Sequence, residues 1–282
     1  MHRLRKGAPS MDDNIFLERY GPWAVIAGAS EGTGASFARR LARYGVNLVL
    51  VARRAGPLQD LADDIRVNYD VECVTACIDL GKENAPERLL DVAGDREIGL
   101  FIFNAGADPN GEMFLDAALD DWNSLAVRNV MTVMRSTYYF SGPMRDRGRG
   151  GVILVGSAAC YSGVPGISVY AATKAFNLVL GEALWAEMQP HGVDVLNLVL
   201  MHTDTPAHRK LMASRGMALP DDLASPDEVA ATGLERLPHG PIVNWGLDDE
   251  ETGYTGIGTS ARARKERVLA LTESVSAYVR KG

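Results

Sequence analysis

Short apolar runs alternate with amphipathic helical segments along most of the chain, and this alternation constrains the fold more than any other feature. The apolar runs contain almost no polar residues, as in WAVIAG at residues 23–28 and GVILVG at residues 151–156. Strands of this kind are covered on both faces, which is typical of a parallel sheet between two layers of helices. We therefore predict an α/β fold with a single doubly wound parallel sheet.

The same pattern predicts one domain over residues 21–282, preceded by a flexible segment over residues 1–20. Residues 203–226 are rich in Met, Pro and short polar residues, which predicts an insertion that covers the substrate site. Strands are predicted at residues 23–28, 47–52, 71–78, 99–106, 151–156, 193–200 and 241–245. Helices are predicted at residues 29–44, 58–67, 85–93, 122–139, 169–189 and 260–279.

Charge and composition exclude several classes of function. The net charge of -7 disfavours nonspecific nucleic-acid binding, which needs a basic surface. No apolar run approaches the roughly 18 residues of a membrane span, and none follows the basic N-terminus as in a secretory signal. The three cysteines include no CxxC pair, so we expect a cytoplasmic protein without a metal site. Cys73 and Cys77 could bind a metal, but the alternation in VECVTACID favours core packing.

Three glycines, Gly28, Gly32 and Gly34, follow the first predicted strand in the segment GASEGTG. Glycine lets a chain turn tightly and approach a pyrophosphate, whose charge is met by the N–H groups and dipole of the following helix. A glycine cluster alone also forms ordinary turns. Its place between a buried strand and an amphipathic helix favours a dinucleotide site on a Rossmann-type sheet.

The end of the second predicted strand indicates which dinucleotide is bound. An acidic residue there would accept hydrogen bonds from the ribose hydroxyls, but this chain has Arg53 and Arg54. Guanidinium groups bind a 2′-phosphate and stack on adenine, so the sequence predicts NADP(H) rather than NAD(H). Both arginines could instead be solvated surface residues, and Glu31 in the glycine loop opposes phosphate binding.

Tyr170 and Lys174 are four residues apart in YAATK, which places both side chains on one face of a predicted helix. A neighbouring ammonium favours the phenolate and brings the pKa of a phenol, ordinarily about 10, toward the working range. Such pairs also occur by chance on solvated helices. Ser157 ends the strand GVILVG thirteen residues before Tyr170, so the three residues can converge at the edge of the sheet.

Taken together, these motifs resemble the classical short-chain dehydrogenase/reductase family over residues 23–206. The resemblance rests on GASEGTG, Asp79-Leu80, NAG at residues 104–106, Trp122 with Asn129 seven residues later, Ser157 and YAATK. It implies an NADP(H)-dependent oxidoreductase that interconverts a ketone and a secondary alcohol by hydride transfer.

The resemblance also implies roles for individual residues. Tyr170 would exchange a proton with the substrate oxygen, and Ser157 would hold that oxygen. Lys174 would bind the nicotinamide ribose and lower the pKa of Tyr170, while Asn129 would support a water chain to solvent unless it is simply a polar residue facing water. Further cofactor contacts are implied for Gly28, Ser30, Gly32, Thr33, Gly34, Asp79, Leu80, Asn104, Ala105, Gly106, Thr203 and Thr205.

One segment departs from the family pattern. Leu200-Met201 stands where the family usually has Pro-Gly, so the nicotinamide end is expected to have a different shape. His202 and His208 follow and could touch the substrate, although histidines on surface loops are more frequent. The opening YGPWAVIAGAS resembles the branch of hydroxysteroid and 3-oxoacyl reductases, which implies a 3-oxoacyl or steroid-like substrate. The bulky apolar residues Met201, Leu211, Met212 and Met217 would suit such a lipophilic ligand, or could pack against their own helix.

Two other functions stay open at this point. A catalytically idle NADP(H)-binding sensor would share the fold, but it has no need of a proton relay. An epimerase or dehydratase of the extended branch also uses Tyr and Lys, but that branch has GxxGxxG and a longer C-terminal domain. The resemblance also implies a homodimer or homotetramer, because the long apolar helices matching residues 122–139 and 169–189 form a two-fold four-helix interface in similar proteins.

Overall fold

The computed structural model describes residues 13–107, 111–161, 166–214, 216, 218–221, 223–245, 263 and 265–266. Seven strands form one sheet in the order β3-β2-β1-β4-β5-β6-β7, and every neighbouring pair is parallel. The strand order reverses between β1 and β4, which is where ligands bind in sheets of this kind. The predicted doubly wound α/β fold is confirmed.

The strands lie close to their predicted positions, whereas helices at residues 13–20, 206–214 and 226–236 were not predicted. The strands are β1 Trp23–Ala27, β2 Asn47–Ala52, β3 Cys73–Cys77, β4 Ile98–Phe103, β5 Gly150–Val155, β6 Val193–Leu200 and β7 Ile242–Trp245. The helices are α1 Asp13–Tyr20, α2 Gly32–Arg43, α3 Ala55–Asn68, α4 Ala85–Ala93, α5 Leu119–Ala126, α6 Thr132–Arg147, α7 Ser168–Met188, α8 Pro206–Ser214 and α9 Pro226–Arg236. Most of the helix predicted at residues 260–279 lies outside the described residues.

The two faces of the sheet carry separate hydrophobic clusters, because successive side chains of a strand point in opposite directions. In β1, Ile26 packs into the cluster that contains residues of α2, α3 and α9. Its neighbour Val25 packs into the cluster that contains residues of α4, α6 and α7. Cys73 is buried in the first cluster, whereas Cys77 is exposed at the end of β3, so the prediction of core packing holds for Cys73 alone.

The expectation of a flexible segment at residues 1–20 is wrong for residues 13–20, which form α1. Phe16 and Tyr20 lie on one face of this helix and are almost fully buried against the sheet. The Tyr20 hydroxyl donates to Asp194 Oδ2 over 2.6 Å, and Arg19 pairs with the same oxygen at 2.7 Å. Burial raises the pKa of both Tyr20 and Asp194. Aromatic packing and this partly buried cluster hold α1 in place.

The helix predicted at residues 122–139 is interrupted. α5 passes into a π-helical turn at Val127–Met131 before α6 begins. One-turn π segments are rare and are frequently found at functional sites, because they insert a residue into the helix and redirect its side chains. Here the π turn buries both Arg128 and Asn129. None of the helices in the described part of the chain combines the length and apolarity that a membrane span requires.

Candidate active site

The carboxyl ends of four adjacent strands carry most of the predicted site residues. Gly28 follows β1, Asn104 follows β4, Ser157 follows β5 and Thr203 follows β6. These strands are neighbours in the sheet, so the segments that follow them meet at one edge. The sequence motifs are therefore brought to one side of the molecule.

The glycine-rich turn between β1 and α2 is closely packed. Gly28 has a φ of 93°, and a Cβ on it would lie 2.7 Å from the Ala105 nitrogen. A Cβ on Gly34 would collide with the Gly28 carbonyl oxygen. Glu31 is the N-cap residue of α2, yet its side chain does not cap the helix. The first N–H groups of α2 are thus left for another acceptor, as in a phosphate-binding turn.

Asn104 connects the end of β4 to this turn. Its backbone N–H donates to Ala27 O over 2.9 Å, and its Nδ2 donates to Gly28 O over 2.8 Å. The adjacent Ala105 N–H also donates to Ala27 O, again over 2.9 Å. The glycine turn and the NAG segment are therefore held as one surface.

Tyr170 and Lys174 lie in the first half of α7, with Lys174 Nζ 5.8 Å from the centre of the Tyr170 ring. Lys174 is buried and donates to Val155 O, at the end of β5, over 2.8 Å. Burial, followed by the nearby Arg128 charge, lowers the pKa of Lys174 to about 8. Ser157 is half-buried two residues after Val155, and its Oγ accepts from the Ala159 N–H at 3.3 Å.

Asn129 is fully buried in the π turn and contacts two other elements. Its Nδ2 donates to Thr173 Oγ1 over 3.0 Å and to Gly106 O over 3.3 Å. The Thr173 hydroxyl donates in turn to Tyr170 O over 2.8 Å. Asn129 thus faces the helix of Tyr170 and Lys174, so the alternative of a polar residue facing water is wrong.

The family model described as short chain dehydrogenase matches residues 22–216. The chain belongs to the short-chain dehydrogenase family. Its relatives include a 7beta-hydroxysteroid dehydrogenase of Mediterraneibacter gnavus, 29% identical over 78% of this chain and 84% of that protein. They also include a very-long-chain 3-oxoacyl-CoA reductase of Podospora anserina, 32% identical over 69% of this chain and 59% of that protein.

Solved structures of short-chain dehydrogenases are also similar to this chain. A 7beta-hydroxysteroid dehydrogenase superposes with a TM-score of 0.75 and 26% identity, covering 92% of this chain and 94% of that one. A short-chain dehydrogenase from Sphingobium yanoikuyae in complex with NADPH also has a TM-score of 0.75, with 25% identity over 93% of this chain and 97% of that one. This short-chain dehydrogenase is accordingly an oxidoreductase that acts on an alcohol or a ketone.

The two arginines after β2 have different surroundings in this short-chain dehydrogenase. Arg54 Nη2 pairs with Glu31 Oε2 at 2.5 Å, so the glutamate of the glycine loop neutralises this arginine. Arg53 is exposed at the end of β2. The sequence shows both arginines and the opposing glutamate, but it does not show which arginine the glutamate pairs with.

The segment after β3 is engaged by the protein itself. Asp79 Oδ1 accepts from the Gly81 N–H over 3.0 Å, which forms a local turn. Leu80 is buried, and its carbonyl accepts from Thr132 Oγ1 over 2.9 Å. The cofactor contacts implied for Asp79 and Leu80 stay predictions.

The segment after β6 reaches back to the glycine turn of this short-chain dehydrogenase. Thr203 is buried and forms an isolated parallel bridge with Ala224. The Thr205 methyl group would lie 2.7 Å from a Cβ on Gly32, so this threonine packs against the turn. The cofactor contacts implied for Thr203 and Thr205 stay predictions.

The histidines and apolar residues of the same segment differ in their surroundings. The His202 and His208 rings lie 5.2 Å apart, and burial lowers the pKa of His208. Met201 is exposed, Met212 is buried and Met217 lies outside the described residues.

Sequence reasoning missed Thr173 and Arg128. Thr173 falls inside the YAATK motif, but its bonds to Asn129 and Tyr170 O are visible only once the elements are packed. Arg128 precedes Asn129 in an apolar stretch, and it is buried with Nη2 donating to Ala107 O over 2.7 Å. A cation within a predicted buried helix face was the available signal.

The close packing at Gly106 generates a first prediction. Gly106 has a φ of 130°, and a Cβ there would lie 2.9 Å from Asn129 Oδ1 and 3.0 Å from Lys174 Nζ. We expect Gly106→Ala to displace both side chains and to lower turnover about a hundredfold, since small displacements of reacting groups have effects of this order. Turnover is measured with a ketone found by screening.

Gly148→Ala is the matched control. Gly148 also has a positive φ, 76°, but a Cβ there would meet nothing within 4 Å. Both variants should unfold at somewhat lower temperature, because left-handed backbone costs a non-glycine residue about 1–2 kcal/mol. Equal turnover in the two variants would contradict the assignment of Gly106 to the site.

Proposed function

We propose that the protein is an NADP(H)-dependent oxidoreductase that interconverts a ketone and a secondary alcohol by hydride transfer. The observation that carries this proposal is the placement of Tyr170 and Lys174 on a helix tied through Thr173 to the buried Asn129. The glycine turn follows β1 and Ser157 follows β5, so both lie at the same edge of the sheet. A protein that only bound a dinucleotide would not need this set.

The residues at the sheet edge fit a nicotinamide dinucleotide. The glycines let the turn pack tightly against its neighbours, and the turn leaves the first N–H groups of α2 for a pyrophosphate. Arg53 is exposed at the strand end where an adenosine 2′-phosphate would bind. Lys174 would hold the nicotinamide ribose. When bound, the cofactor supplies or accepts the hydride.

The side chains of the protein then handle the proton and the substrate oxygen. The Ser157 hydroxyl donates to the oxygen of the ketone, which stabilises the negative charge that develops there. Tyr170 gives its hydroxyl proton to that oxygen in reduction and takes it back in oxidation. Lys174 bonds to the end of β5 and Asn129 bonds to Thr173, so these two residues hold α7, and with it Tyr170, in a fixed position against the sheet.

We propose a lipophilic substrate. Met201 is exposed beside the end of β6, and Leu211 is half-buried in α8. Met212 is buried, so it packs against its surroundings instead of facing a ligand. The relatives named as hydroxysteroid dehydrogenase and 3-oxoacyl-CoA reductase support a steroid-like or long-chain oxoacyl compound.

The role of Tyr170 generates the central prediction. Tyr170→Phe keeps the ring and removes the exchangeable proton, so turnover should fall by about two to four powers of ten while NADPH affinity stays nearly unchanged. Ser157→Ala should also lower turnover, and Lys174→Ala should weaken both turnover and NADPH binding. Turnover is measured by absorbance of reduced nicotinamide, and affinity by titration calorimetry.

Tyr44→Phe serves as the control, because Tyr44 ends α2 and packs on Phe16 away from the strand ends that carry the site. Its activity should match that of the unmodified protein. If Tyr170→Phe kept most of the activity, the mechanism would be wrong and a sensor that binds NADP(H) without catalysis would become the better explanation.

Cofactor preference generates a separate prediction. NADPH should bind about tenfold or more tightly than NADH, because a charge-assisted phosphate contact contributes roughly 1.5–3 kcal/mol. Arg53→Ala should remove more of this preference than Arg54→Ala, since Arg54 is paired with Glu31. Glu31→Gln should increase the preference, because it releases Arg54 and removes a negative charge near the phosphate.

Arg39→Ala is the matched control for these dissociation constants, since Arg39 is an exposed arginine of α2 that pairs with Asp64 at 2.9 Å. It should leave the ratio of the two constants unchanged. Equal dissociation constants for NADPH and NADH in the unmodified protein would refute the proposed preference.

We also propose a homodimer or homotetramer built on α6 and α7. Met131, Met134 and Tyr138 follow one another on an exposed face of the π turn and α6, and Val179 is exposed on α7. An apolar groove lined by Phe114, Ala126, Val130, Val169 and Ala172 lies between α5 and α7. Large exposed apolar areas of this kind are typical of association surfaces.

Sedimentation at micromolar concentration should therefore give at least twice the chain mass of 30.4 kDa. Tyr138→Glu should shift the protein toward the monomer, because it places a charge in the apolar surface. Val67→Glu should not, although Val67 is similarly exposed, since it lies on α3. A purely monomeric unmodified protein would contradict this proposal.

A further inference from the structure

Arg128 is a buried cation that the mechanism above does not use. Only 8% of its surface is exposed. It belongs to the π turn and directly precedes Asn129. Its Nε donates to Asn129 Oδ1 over 3.3 Å, and its Nη2 donates to Ala107 O over 2.7 Å. Burying a guanidinium is costly even when it is hydrogen-bonded, so the burial of Arg128 beside the site needs a physical reason.

The geometry around Asn129 gives the first reason. A carboxamide can be turned by 180°, and its hydrogen-bond partners decide which end carries the oxygen. Arg128 only donates, so Asn129 Oδ1 must face it, and Nδ2 must face Thr173 Oγ1 and Gly106 O. The Gly106 carbonyl can only accept, so it favours the same orientation, and the guanidinium reinforces it by giving the buried Oδ1 a charged donor that would be lost without Arg128.

The second reason is the contact with Ala107. This residue directly follows the NAG segment at residues 104–106, and its carbonyl is the acceptor for Arg128. Gly106, one residue earlier, is so close to Asn129 and Lys174 that even a Cβ would not fit. One side chain therefore holds both the carboxamide and the backbone that packs against it.

We propose that Arg128 is a positioning residue of this active site, which fixes the Asn129 carboxamide and the segment after β4 against Lys174. This inference rests on the proposed function, because it concerns the same proton-transfer site. Arg128 acts through its neighbours and is not assigned a contact with the substrate.

The Arg128 charge also acts on Lys174. Among the described residues, the groups that face this ammonium are Arg128 on the π turn, Cys160 after β5, Tyr170 on its own helix and the Val155 carbonyl. After burial, Arg128 is the larger cause of the lowered pKa of Lys174, about 8. Arginine stays protonated at all working pH values, so its removal should let Lys174 keep its proton to a higher pH.

The experiment compares Arg128→Met, which removes the charge and the donors, with Arg128→Lys, which keeps a charge and one donor group. Arg147→Met is the matched control. Arg147 is also largely buried and donates to a backbone carbonyl, that of Ile98, but at the start of β4 and thus at the opposite edge of the sheet. NADPH affinity is followed by fluorescence from pH 6 to about 10, with kcat and KM measured for a ketone found by screening.

In the unmodified protein, NADPH affinity should weaken as the pH rises past about 8, where Lys174 loses its proton. Arg128→Met should move this onset upward by about one pH unit, the lower end of the effect of a nearby charge. It should also lower kcat about tenfold with little change in the KM of the ketone. The reason is that Asn129 and Lys174 lose their alignment with Tyr170, while the surface that binds the substrate remains. Arg128→Lys should keep the onset near that of the unmodified protein and recover part of kcat.

An unchanged onset in Arg128→Met would overturn the inference, as would an equal loss of kcat in Arg147→Met. If Arg128→Met does not fold, Arg128→Lys is tested alone. The inference then requires that NADPH affinity weakens from the same pH as in the unmodified protein, while kcat falls. The result is separable from the proposed function. An active Tyr170→Phe defeats the mechanism, whereas an inactive Tyr170→Phe with no Arg128 effect defeats the positioning role alone.

Discussion

The carboxamide of Asn129 joins three parts of the molecule, and the arrangement of the site depends on this junction. Its nitrogen donates to Thr173 on α7 and to Gly106 after β4, and its oxygen accepts from Arg128 in the π turn. A buried polar group that loses its partner costs about 1–3 kcal/mol. Each bond therefore opposes an independent movement of the turn, the helix or the strand end, and Tyr170 and Lys174 keep a fixed relation to the sheet.

The ends of the strands explain how two cations can be buried at this place. Lys174 donates to the carbonyl of Val155, the last residue of β5, and Arg128 donates to the carbonyl of Ala107, shortly after β4. Beyond the last ladder bond of a parallel sheet, carbonyl groups need hydrogen-bond donors from elsewhere. The ammonium and the guanidinium satisfy these carbonyls, which in turn replace part of the hydration that both cations lose on burial.

The sequence predicts the sheet and most of the site because the signals are local. Buried strands are continuous apolar runs, and the motifs follow strand ends, which a parallel sheet gathers at one edge. Three features escape such reasoning. The helix predicted at residues 122–139 contains a π turn that inserts one residue, and α1 is a short helix held by its contact with Asp194. The pair of Arg54 and Glu31 joins residues on two different turns, so only the packed structure decides which arginine is neutralised.

The glycine turn shows why fold and chemistry must be argued from different residues. Gly28 faces the Ala105 backbone, Gly34 faces the Gly28 carbonyl, and Gly32 faces Thr205. Each glycine is thus required by a neighbouring part of the protein, whether or not a phosphate binds. The turn alone would suit a sensor as well as an enzyme. The buried lysine beside a tyrosine and the oriented carboxamide have no such packing explanation, because an apolar residue would fill either position at lower cost. These groups, more than the glycines, are what a proton-transferring enzyme requires.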